Sequence, residues 1–374
     1  MAYATVWIPW MRRALQLASL AAGCTSPNPL VGAVVIDADG FLVGEGFHTC
    51  AGQPHAEVEA LSRAGEAARG GTLVVTLEPC CHHGRTPPCT EAVINAGIVR
   101  VVVALQDPDP RVAGAGITRL RSAGLEVIIG VLKAKAARQN RAFIHRVQTG
   151  QPWGSLKWAM SLDGRTALTN GLSQWISGPL ARHWVHSMRA QYDAIVVGGG
   201  TLRTDNPLLT SRGRRNPEPL RLVLSRHLDL PLNCRLWNDA VAPTLVAHGP
   251  EASVTQRQRL DRAGIKRLEL DACEPSVLLQ SLASQGCNHV LWECGPSLAA
   301  AALRQKCVQE LLVLIAPKLL GGEAACTPLA DLGFSNLEQV IDLESQVSGW
   351  IGKDLLLQLY PINTPGPKCL GSAS

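Results

Sequence analysis

Four residues in the first part of the chain have the types and the spacing of a catalytic zinc site. His55 and Glu57 are separated by one residue in PHAEVEAL, and Cys80 and Cys89 follow in TLEPCCHHGRTPPC. Zinc in hydrolytic enzymes is held by three nitrogen, sulfur or oxygen ligands from the protein, and a fourth position is kept for water. His55 and the two cysteines fit the ligand role. Glu57 fits the role of a carboxylate that moves a proton from that water to a leaving amine.

The motif leaves two alternatives for the third zinc ligand. Zinc-dependent base deaminases carry H-x-E followed by P-C-x-x-C, whereas here the second cysteine comes nine positions after Cys80. Either Cys89 is the third ligand and the residues between are looped out, or Cys81, His82 or His83 replaces it. Adjacent cysteines cannot easily reach one ion, which favours Cys89. We also expect Cys80 to lie at a helix N-terminus, where backbone N–H groups favour a thiolate.

Short apolar strands alternate with helices along the chain, which predicts an α/β fold. In the first half, helices are predicted at 11–23, 55–69, 90–97, 116–123 and 134–147. In the second half, strands are predicted at 155–162, 193–201, 220–225, 243–249, 266–270, 289–295 and 310–322, with helices at 179–190 and 297–306. A chain of 374 residues exceeds the usual size of one hydrophobic core. We therefore expect two domains, 11–150 and 151–362, with no element in residues 1–10 and a disordered tail at 363–374.

The composition favours a small anionic ligand and a cytoplasmic location. The formal charge of +5 is modest and the basic residues are not densely clustered, so we expect no nucleic-acid partner. The twelve cysteines are scattered through a long chain, which favours a reducing compartment. No apolar run reaches the roughly 18 to 20 residues of a membrane span. The apolar residues after Arg13 resemble an export signal only loosely, because they fit an amphipathic helix.

Two strand ends with glycines in the second half are typical of phosphate or nucleotide sites. One lies in DAIVVGGGTLRTDNP, and the other in HVLWECGPSL, where a helix begins after Gly295. Either is also compatible with an ordinary tight turn, but two of them in one α/β domain favour a nucleotide pocket. The G-x-G-x-x-G fingerprint of a Rossmann domain is absent. The run from Arg212 to Arg215 is either a solvated loop or a contact to a phosphate group of a bound nucleotide.

These motifs resemble the bifunctional deaminase/reductase family of riboflavin biosynthesis. TSPNPLVGAVV, PHAEVEAL, TLEPCCHHGRTPPC and QDPDPRVAGAGI are similar to its deaminase domain. SLKWAMSLDGRTA, SQWISGPLAR, DAIVVGGGTLRTDNPLLTSR and APKLLGG are similar to its reductase domain, although the likeness is weak at 213–285. The resemblance implies a cytidine-deaminase-like N-terminal domain that binds zinc. It also implies a dihydrofolate-reductase-like C-terminal domain that uses NADPH.

The resemblance implies a two-step enzyme. The first domain is expected to remove ammonia from 2,5-diamino-6-(ribosylamino)-4(3H)-pyrimidinone 5′-phosphate by zinc-dependent hydrolysis. The second is expected to reduce the ribosyl side chain with NADPH, giving 5-amino-6-(ribitylamino)uracil 5′-phosphate. The expected partner is thus a small phosphorylated pyrimidine, and the chain is expected to form homo-oligomers.

The resemblance also implies roles for single residues. His55, Cys80 and Cys89 are expected to hold zinc, with Glu57 as the proton shuttle. Residues expected to contact substrate are Asn28, His48, His83 and Arg85 in the first domain and Lys157, Ser173, Arg189, Leu209, Arg212 and Glu293 in the second. Residues expected to contact NADPH are Ala159, Trp175, Thr201, Asp205, Ser225, Gly295, Pro296 and Ser297. Arg189 and Arg212 have the chemistry to clamp a phosphate.

Two other functions use part of the same pattern. A deaminase of tRNA or DNA bases shares the zinc chemistry, but it would bind nucleic acid tightly and with strong salt dependence. A non-catalytic zinc protein would need a fourth protein ligand, such as Cys81 or His83, and would leave Glu57 without a role. In a third interpretation, one of the two domains has lost its activity.

Overall fold

A computed structural model of the chain describes residues 5–82, 87–110 and 112–362, and of residues 346 and 347 it describes the backbone alone. The chain divides into two compact units, and the division lies between Gly150 and Gln151. The expected tail at 363–374 lies outside the described residues. Among the described helices, none has the length and apolar character needed to cross a membrane.

The first unit contains a five-stranded mixed sheet. Its strands are β1 Gly32–Ile36, β2 Leu42–Phe47, β3 Thr72–Val75, β4 Arg100–Val103 and β5 Glu126–Ile129. The strand order is β2-β1-β3-β4-β5; β1 is antiparallel to both of its neighbours, whereas β3, β4 and β5 are parallel. Its helices are α1 Ile8–Ser19, α2 Ala56–Ala64, α3 Cys89–Asn95, α4 Ala115–Ser122, α5 Lys133–Gln139 and α6 Arg141–Thr149.

Successive residues of the central strands face two hydrophobic cores, as the side-chain alternation of a strand requires. Val75 packs in the core that α2, α3 and α4 share with the sheet. Val74 packs in the other core, with residues of α1, α5 and α6. The sheet is therefore covered on both faces, and β3 is held firmly where it leads into the zinc motif.

Three helix predictions in this unit are wrong in their bounds. The first helix begins at Ile8, and Pro9 fits its first turn because the N–H that proline lacks has no helical partner there. The helix predicted at 55–69 ends at Ala64, since Gly65 has a φ of 54° and a 3-10 turn follows. The helix predicted at 134–147 is two helices, α5 and α6, that are separated at Asn140.

The second unit contains a nine-stranded sheet. Its strands are β6 Trp153–Ser161, β7 Ala194–Gly198, β8 Leu220–Leu224, β9 Thr244–His248, β10 Arg267–Glu269, β11 His289–Trp292, β12 Glu310–Ala316, β13 Leu343–Ile351 and β14 Asp354–Pro361. The order is β10-β9-β8-β7-β11-β6-β12-β14-β13, and only the pairings of β14 are antiparallel. The helices are α7 Pro179–Arg189, α8 Gly199–Asp205, α9 Val254–Arg262, α10 Pro275–Ser284 and α11 Pro296–Arg304.

The sequence pattern missed several elements of this unit. Helices α9 and α10 and strands β13 and β14 were not predicted, and the strands predicted at 193–201 and 310–322 end early, at Gly198 and Ala316. The glycine run begins the short helix α8. Because β6, β11, β7 and β8 are parallel neighbours, their carboxyl ends lie along one edge of the sheet, where ligands of open α/β sheets bind.

Candidate active sites

The first unit brings one nitrogen and two sulfur atoms together at the predicted zinc site. His55 Nδ1 lies 3.2 Å from Cys89 Sγ and 3.6 Å from Cys80 Sγ. The three atoms all lie within 4.8 Å of one another. Cys81 and His82, the alternative ligands that the structure describes, are not part of this group, and His83 lies outside the described residues. One imidazole and two thiols form a donor set that suits zinc.

Two of the three side chains lie at the start of a helix, and the third lies in a loop. His55 is the residue before α2, in extended conformation, and Cys89 is the first residue of α3. Cys80 lies in the loop between β3 and α3, so the expectation that Cys80 begins a helix is wrong. The backbone N–H of Cys89 nevertheless donates to Cys80 Sγ at 3.4 Å. The N-terminus of α3 thus supplies the thiolate stabilisation that was expected for Cys80.

Hydrogen bonding gives the two cysteine thiols different proton affinities. Cys80 accepts hydrogen bonds from Cys89 and His55, and they lower its pKa to about 4 against the effect of burial. The interaction with Cys80 raises the pKa of Cys89. These interactions favour Cys80 as a thiolate, which is the form that binds a metal.

Glu57 lies beside the three candidate ligands and is almost completely buried, with 3% of its surface exposed. Burial raises the pKa of Glu57 to about 7, and a hydrogen bond with Cys89 acts in the opposite direction. A carboxyl group with a pKa near neutrality can both accept and return a proton at neutral pH. This is the property that the predicted proton shuttle needs.

The predicted substrate residues Asn28 and His48 lie next to each other in the same unit. His48 Nδ1 donates to the carbonyl oxygen of Pro54 at 3.1 Å, because that oxygen can only accept. His48 Nε2 therefore accepts from Asn28 Nδ2 at 3.0 Å. Burial lowers the pKa of His48, which keeps it neutral. Its ring packs edge-on against that of His55 with 5.3 Å between centroids, so both residues lie close to the candidate zinc ligands. Arg85, also expected here, lies outside the described residues.

Glu78 is a buried acidic residue close to the candidate zinc ligands that the sequence analysis missed. Its side chain is 3% exposed, and its carboxylate accepts hydrogen bonds of 3.1, 3.0 and 3.1 Å from the backbone N–H groups of Asp107, Gly114 and Ile117. Glu78 thus ties the loop before α4 to the chain just before Cys80. The sequence does show an acidic residue directly before Pro79 and Cys80. Its hydrogen-bond partners are distant in sequence, however, so the sequence could not identify them.

The approach of α4 to this turn leaves no space for a side chain at Gly116. A Cβ atom at this position would lie 2.0 Å from the carbonyl oxygen of Pro79 and 3.2 Å from the side chain of Glu78. Since Pro79 precedes Cys80, the position of one candidate ligand depends on this close packing.

In the second unit, predicted NADPH residues collect around the glycine run at the start of α8. A Cβ atom at Gly199 would lie 3.2 Å from Ser225 Oγ, and one at Gly295 would lie 3.4 Å from Thr201 Oγ1. Apart from its chain neighbours and the backbone of its own helix, no atom of the described residues lies within 4 Å of a Cβ position at Gly200. The ends of β7, β8 and β11 therefore form an open cradle of backbone and hydroxyl groups, which fits the close approach of a nucleotide.

The structure shows contacts or positions for several other predicted substrate and NADPH residues of this unit. Ser173 Oγ donates to Asp205 Oδ1 at 3.3 Å, so a predicted substrate residue and a predicted NADPH residue meet. Burial raises the pKa of Asp205. Trp175 is 62% exposed, and its ring lies 4.5 Å from the guanidinium of Arg182. Ala159 lies near the carboxyl end of β6, and Pro296 and Ser297 open α11.

Lys157, Arg189 and Glu293 form a largely buried ion cluster, in which 9 to 16% of each side chain is exposed. Arg189 donates from Nε and Nη2 to the two oxygens of Glu293 at 2.6 and 3.0 Å, and Lys157 Nζ lies 3.6 Å from Glu293 Oε2. Burial alone would raise the pKa of Glu293, but the charges of Arg189 and Lys157 outweigh it and lower the pKa to about 2. Burial lowers the pKa of Lys157. The guanidinium of Arg189 is thus committed to a carboxylate, whereas a phosphate clamp was expected.

The loop that carries Leu209 and Arg212 is held in an unusual conformation. Leu209 is buried and Arg212 is exposed, and both have positive φ values, of 54° and 61°. Glu218 fixes the loop by accepting from the backbone N–H groups of Ser211 and Gly213 at 2.6 and 2.9 Å. Arg215 donates to the carbonyl oxygen of Tyr192, so the basic run is not a uniformly solvated loop.

Two protein families match the chain. Residues 8–105 match the cytidine and deoxycytidylate deaminase zinc-binding region, and residues 152–357 match the RibD C-terminal domain. The chain is 47% identical over 350 residues to the riboflavin biosynthesis protein RibD of a Synechocystis species, which covers 94% of this chain and 95% of that protein. It is 43% identical over 326 residues to RibD of Escherichia coli, and the match covers 84% of this chain and 89% of that protein.

Solved structures are similar over almost the full length. RibD of Acinetobacter baumannii superimposes with a TM-score of 0.86 at 40% identity, covering 96% of this chain and 99% of that one. A diaminohydroxyphosphoribosylaminopyrimidine deaminase/5-amino-6-(5-phosphoribosylamino)uracil reductase of Thermotoga maritima gives a TM-score of 0.85 at 34% identity, with the same coverage. The predicted α/β architecture, a cytidine-deaminase-like unit followed by a dihydrofolate-reductase-like unit, is confirmed.

Proposed function

The chain belongs to the RibD family of bifunctional deaminase/reductases, and we propose that His55, Cys80 and Cys89 hold its zinc ion while Glu57 moves the protons of deamination. The enzyme deaminates 2,5-diamino-6-(ribosylamino)-4(3H)-pyrimidinone 5′-phosphate with zinc, then reduces the product with NADPH to 5-amino-6-(ribitylamino)uracil 5′-phosphate. The observation that carries the proposal is the group of one imidazole and two thiols within 4.8 Å, with a buried carboxyl beside it.

We assign deamination to residues 11–150 and reduction to residues 151–362. The division of the chain between Gly150 and Gln151 supports this assignment, as do the matched ranges, which fall on either side of it. Each set of candidate residues lies inside one unit, so neither reaction draws on the other unit for the side chains assigned here.

Zinc, when bound, supplies a Lewis acid that lowers the pKa of water toward 7. Glu57 takes a proton from the attacking water and delivers a proton to the nitrogen that leaves as ammonia, and its pKa of about 7 suits both transfers. Neutral His48 holds the amide of Asn28 through the 3.0 Å hydrogen bond between them. Asn28 then orients the pyrimidine for attack, since a fixed amide offers its substrate a defined geometry.

NADPH, when bound, supplies the hydride for the second step. We assign the open cradle around Gly200 to the cofactor, with Thr201, Ser225 and Gly295 as its walls and Ala159, Trp175, Asp205, Pro296 and Ser297 as further contacts. The hydroxyl groups and the backbone orient the cofactor at the edge of the sheet. Glu293 of the ion cluster directly follows β11 at the same edge, which supports a substrate region beside that of the cofactor.

Within the ion cluster, Lys157 and Glu293 are assigned to the sugar of the substrate. Arg189 orients Glu293 through its two hydrogen bonds and is not the phosphate ligand. The phosphate is assigned to Arg212, which is exposed on the loop beside Leu209. Ser173, which donates to Asp205, completes the substrate side.

Ammonia release from candidate substrates separates this proposal from its rivals. Purified zinc-loaded protein is incubated with the diaminopyrimidinone ribosylamine phosphate, with tRNA, or with single-stranded DNA. We expect ammonia from the small molecule alone. Ammonia from a nucleic acid would favour the base deaminase, and a zinc-loaded protein that releases no ammonia from any of them would favour a structural zinc site.

We also propose that the enzyme works in the cytoplasm as a homo-oligomer. Free, scattered cysteines support a reducing compartment. Trp350 and Leu337 of the second unit are 71% and 86% exposed and are therefore available for burial between chains. Light scattering tests the second point: a mass of one chain at micromolar concentration would contradict it.

A further inference from the structure

Asn140 is a buried amide at the break between α5 and α6, and it forms a pair of hydrogen bonds with a distant peptide group. Its Oδ1 accepts from the backbone N–H of Leu30 at 2.8 Å, and its Nδ2 donates to the carbonyl oxygen of Leu30 at 2.8 Å. Only 2% of Asn140 is exposed. Because an N–H can only donate and a carbonyl can only accept, the orientation of the amide is fixed.

The segment that Asn140 holds carries Asn28, the residue assigned to the substrate. Leu30 lies two residues after Asn28 and 110 residues before Asn140. On the other side of Asn28, the carbonyl oxygen of Pro27 accepts from Arg146 Nη2 of α6 at 2.8 Å. The segment 27–30 belongs to no helix or strand. The helix pair α5 and α6 therefore fixes this loop from both sides of the substrate residue.

We propose that Asn140 is a positioning residue for deamination, which sets the place of Asn28 by holding Leu30. This inference rests on the proposed function, because it needs Asn28 to contact the pyrimidine. Asn140 lies beyond residue 105, where the match to the zinc-binding region ends. The candidate zinc ligands lie on other segments, so loss of the Asn140 amide affects the substrate and leaves the metal in place.

The test compares Asn140→Ala with Gln139→Ala in the full-length zinc-loaded enzyme. Gln139 is the adjacent residue, and its Nε2 donates to the carbonyl oxygen of Leu15 in α1 at 2.9 Å, a partner outside the segment 27–30. We expect Asn140→Ala to raise the KM for the diaminopyrimidinone substrate about tenfold or more, because small misplacements of a binding group are costly. Zinc content and the KM of the reductase step stay unchanged. Gln139→Ala keeps the wild-type KM.

A double variant distinguishes positioning from general stabilisation. If Asn140 acts through Asn28, adding Asn140→Ala to Asn28→Ala changes the KM by less than about twofold, since interacting residues are not additive. A full additional tenfold rise would overturn the proposal. So would a normal KM in zinc-loaded Asn140→Ala.

Arg146→Met provides a second route if Asn140→Ala does not fold. It removes the hydrogen bond to Pro27 from the surface of α6, and we expect a smaller rise of KM, about threefold. An unchanged KM in this variant would overturn the inference. A wild-type enzyme that releases no ammonia would instead overturn the proposed function, and this inference with it.

Discussion

Glu57 combines deep burial with direct access to the candidate zinc ligands, which makes it the most informative single residue of the first unit. Glu57→Gln keeps the shape of the side chain and removes its ability to accept a proton. We expect the rate of ammonia release to fall at least about 100-fold, the usual contribution of a positioned acid–base group. Zinc content and NADPH-dependent reduction of the deaminated substrate should not change.

Glu59→Gln is the matched control for Glu57→Gln. Glu59 lies two residues later on α2 and pairs with Arg63 at the surface, at 3.6 Å. The control should retain wild-type rates for both reactions. Full deaminase activity in Glu57→Gln would remove Glu57 from the proposed mechanism.

Glu293 gives the second unit a defined pH dependence. Its pKa of about 2 lies below the ordinary 4.5, so its contribution to stability is complete above pH 4.5 and is lost as the pH falls toward 2. Glu293→Gln leaves two largely buried cations without their carboxylate, and we expect the free energy of unfolding at pH 7 to fall by about 3 kcal/mol. The difference between wild type and variant should shrink as the pH falls from about 5 toward 2.

Denaturant unfolding at pH 7, 5 and 3 measures this difference. Glu338→Gln, which changes an exposed acid of the same unit, controls for the general effect of removing a carboxylate and should change stability by less than about 0.5 kcal/mol. A wild-type advantage over Glu293→Gln that stays constant down to pH 3 would contradict the account.

At the scale of elements, the sequence best predicted the features that depend on residues close together in the chain. The zinc motif was predictable because His55 and Glu57 adjoin a helix start, and the cysteines occur in the same short run. The strands that lie in the sheet interiors were predictable from their apolar runs. Strand β13 at the edge of the sheet and its neighbour β14 are exceptions, because they are mixed in polarity and partly exposed, which hides them from the same pattern.

The supports of the two sites were not predictable from the sequence, since they depend on distant partners. Glu78 binds N–H groups that lie 29 to 39 residues away, and Asn140 binds one 110 residues away. Arg189 has the chemistry of a phosphate ligand, and only the fold shows that Glu293 occupies its guanidinium. The break between α5 and α6 was missed for the same reason, because it lies at Asn140, whose side chain makes a contact with a residue distant in sequence.

Gly116 tests whether the packing of α4 against the zinc loop matters. In Gly116→Ala the new methyl group would meet the carbonyl oxygen of Pro79 at 2.0 Å, and a backbone carbonyl cannot shift as easily as the end of a flexible side chain. We expect a loss of about 3 kcal/mol of stability in the first unit. We also expect fewer zinc ions per purified chain, measured by metal analysis.

Ala115→Ser is the control for Gly116→Ala, because Ala115 is the exposed neighbour on the same helix. It should bind zinc and unfold like the wild type. Wild-type zinc content and stability in Gly116→Ala would show that the loop before Cys80 is not held by this contact.

At the scale of the whole molecule, the two units predict separable activities. The candidate zinc ligands all lie before residue 150. The ion cluster and the open cradle around Gly200 lie after it. Removing zinc with a chelator should reduce ammonia release at least about 100-fold. Oxidation of NADPH should continue at the wild-type rate when the deaminated ribosylamino-uracil phosphate is supplied. Zinc added back should restore ammonia release, and a parallel loss of both activities on chelation would contradict this separation.

The most direct test of the central claim follows both reactions in one mixture. Purified zinc-loaded protein receives the diaminopyrimidinone ribosylamine phosphate and NADPH, and ammonia and NADPH are measured over time. The account predicts that ammonia appears first and that NADPH is then oxidised in equal amount. NADPH oxidation without ammonia, or ammonia without NADPH oxidation, would contradict the two-step function of this chain.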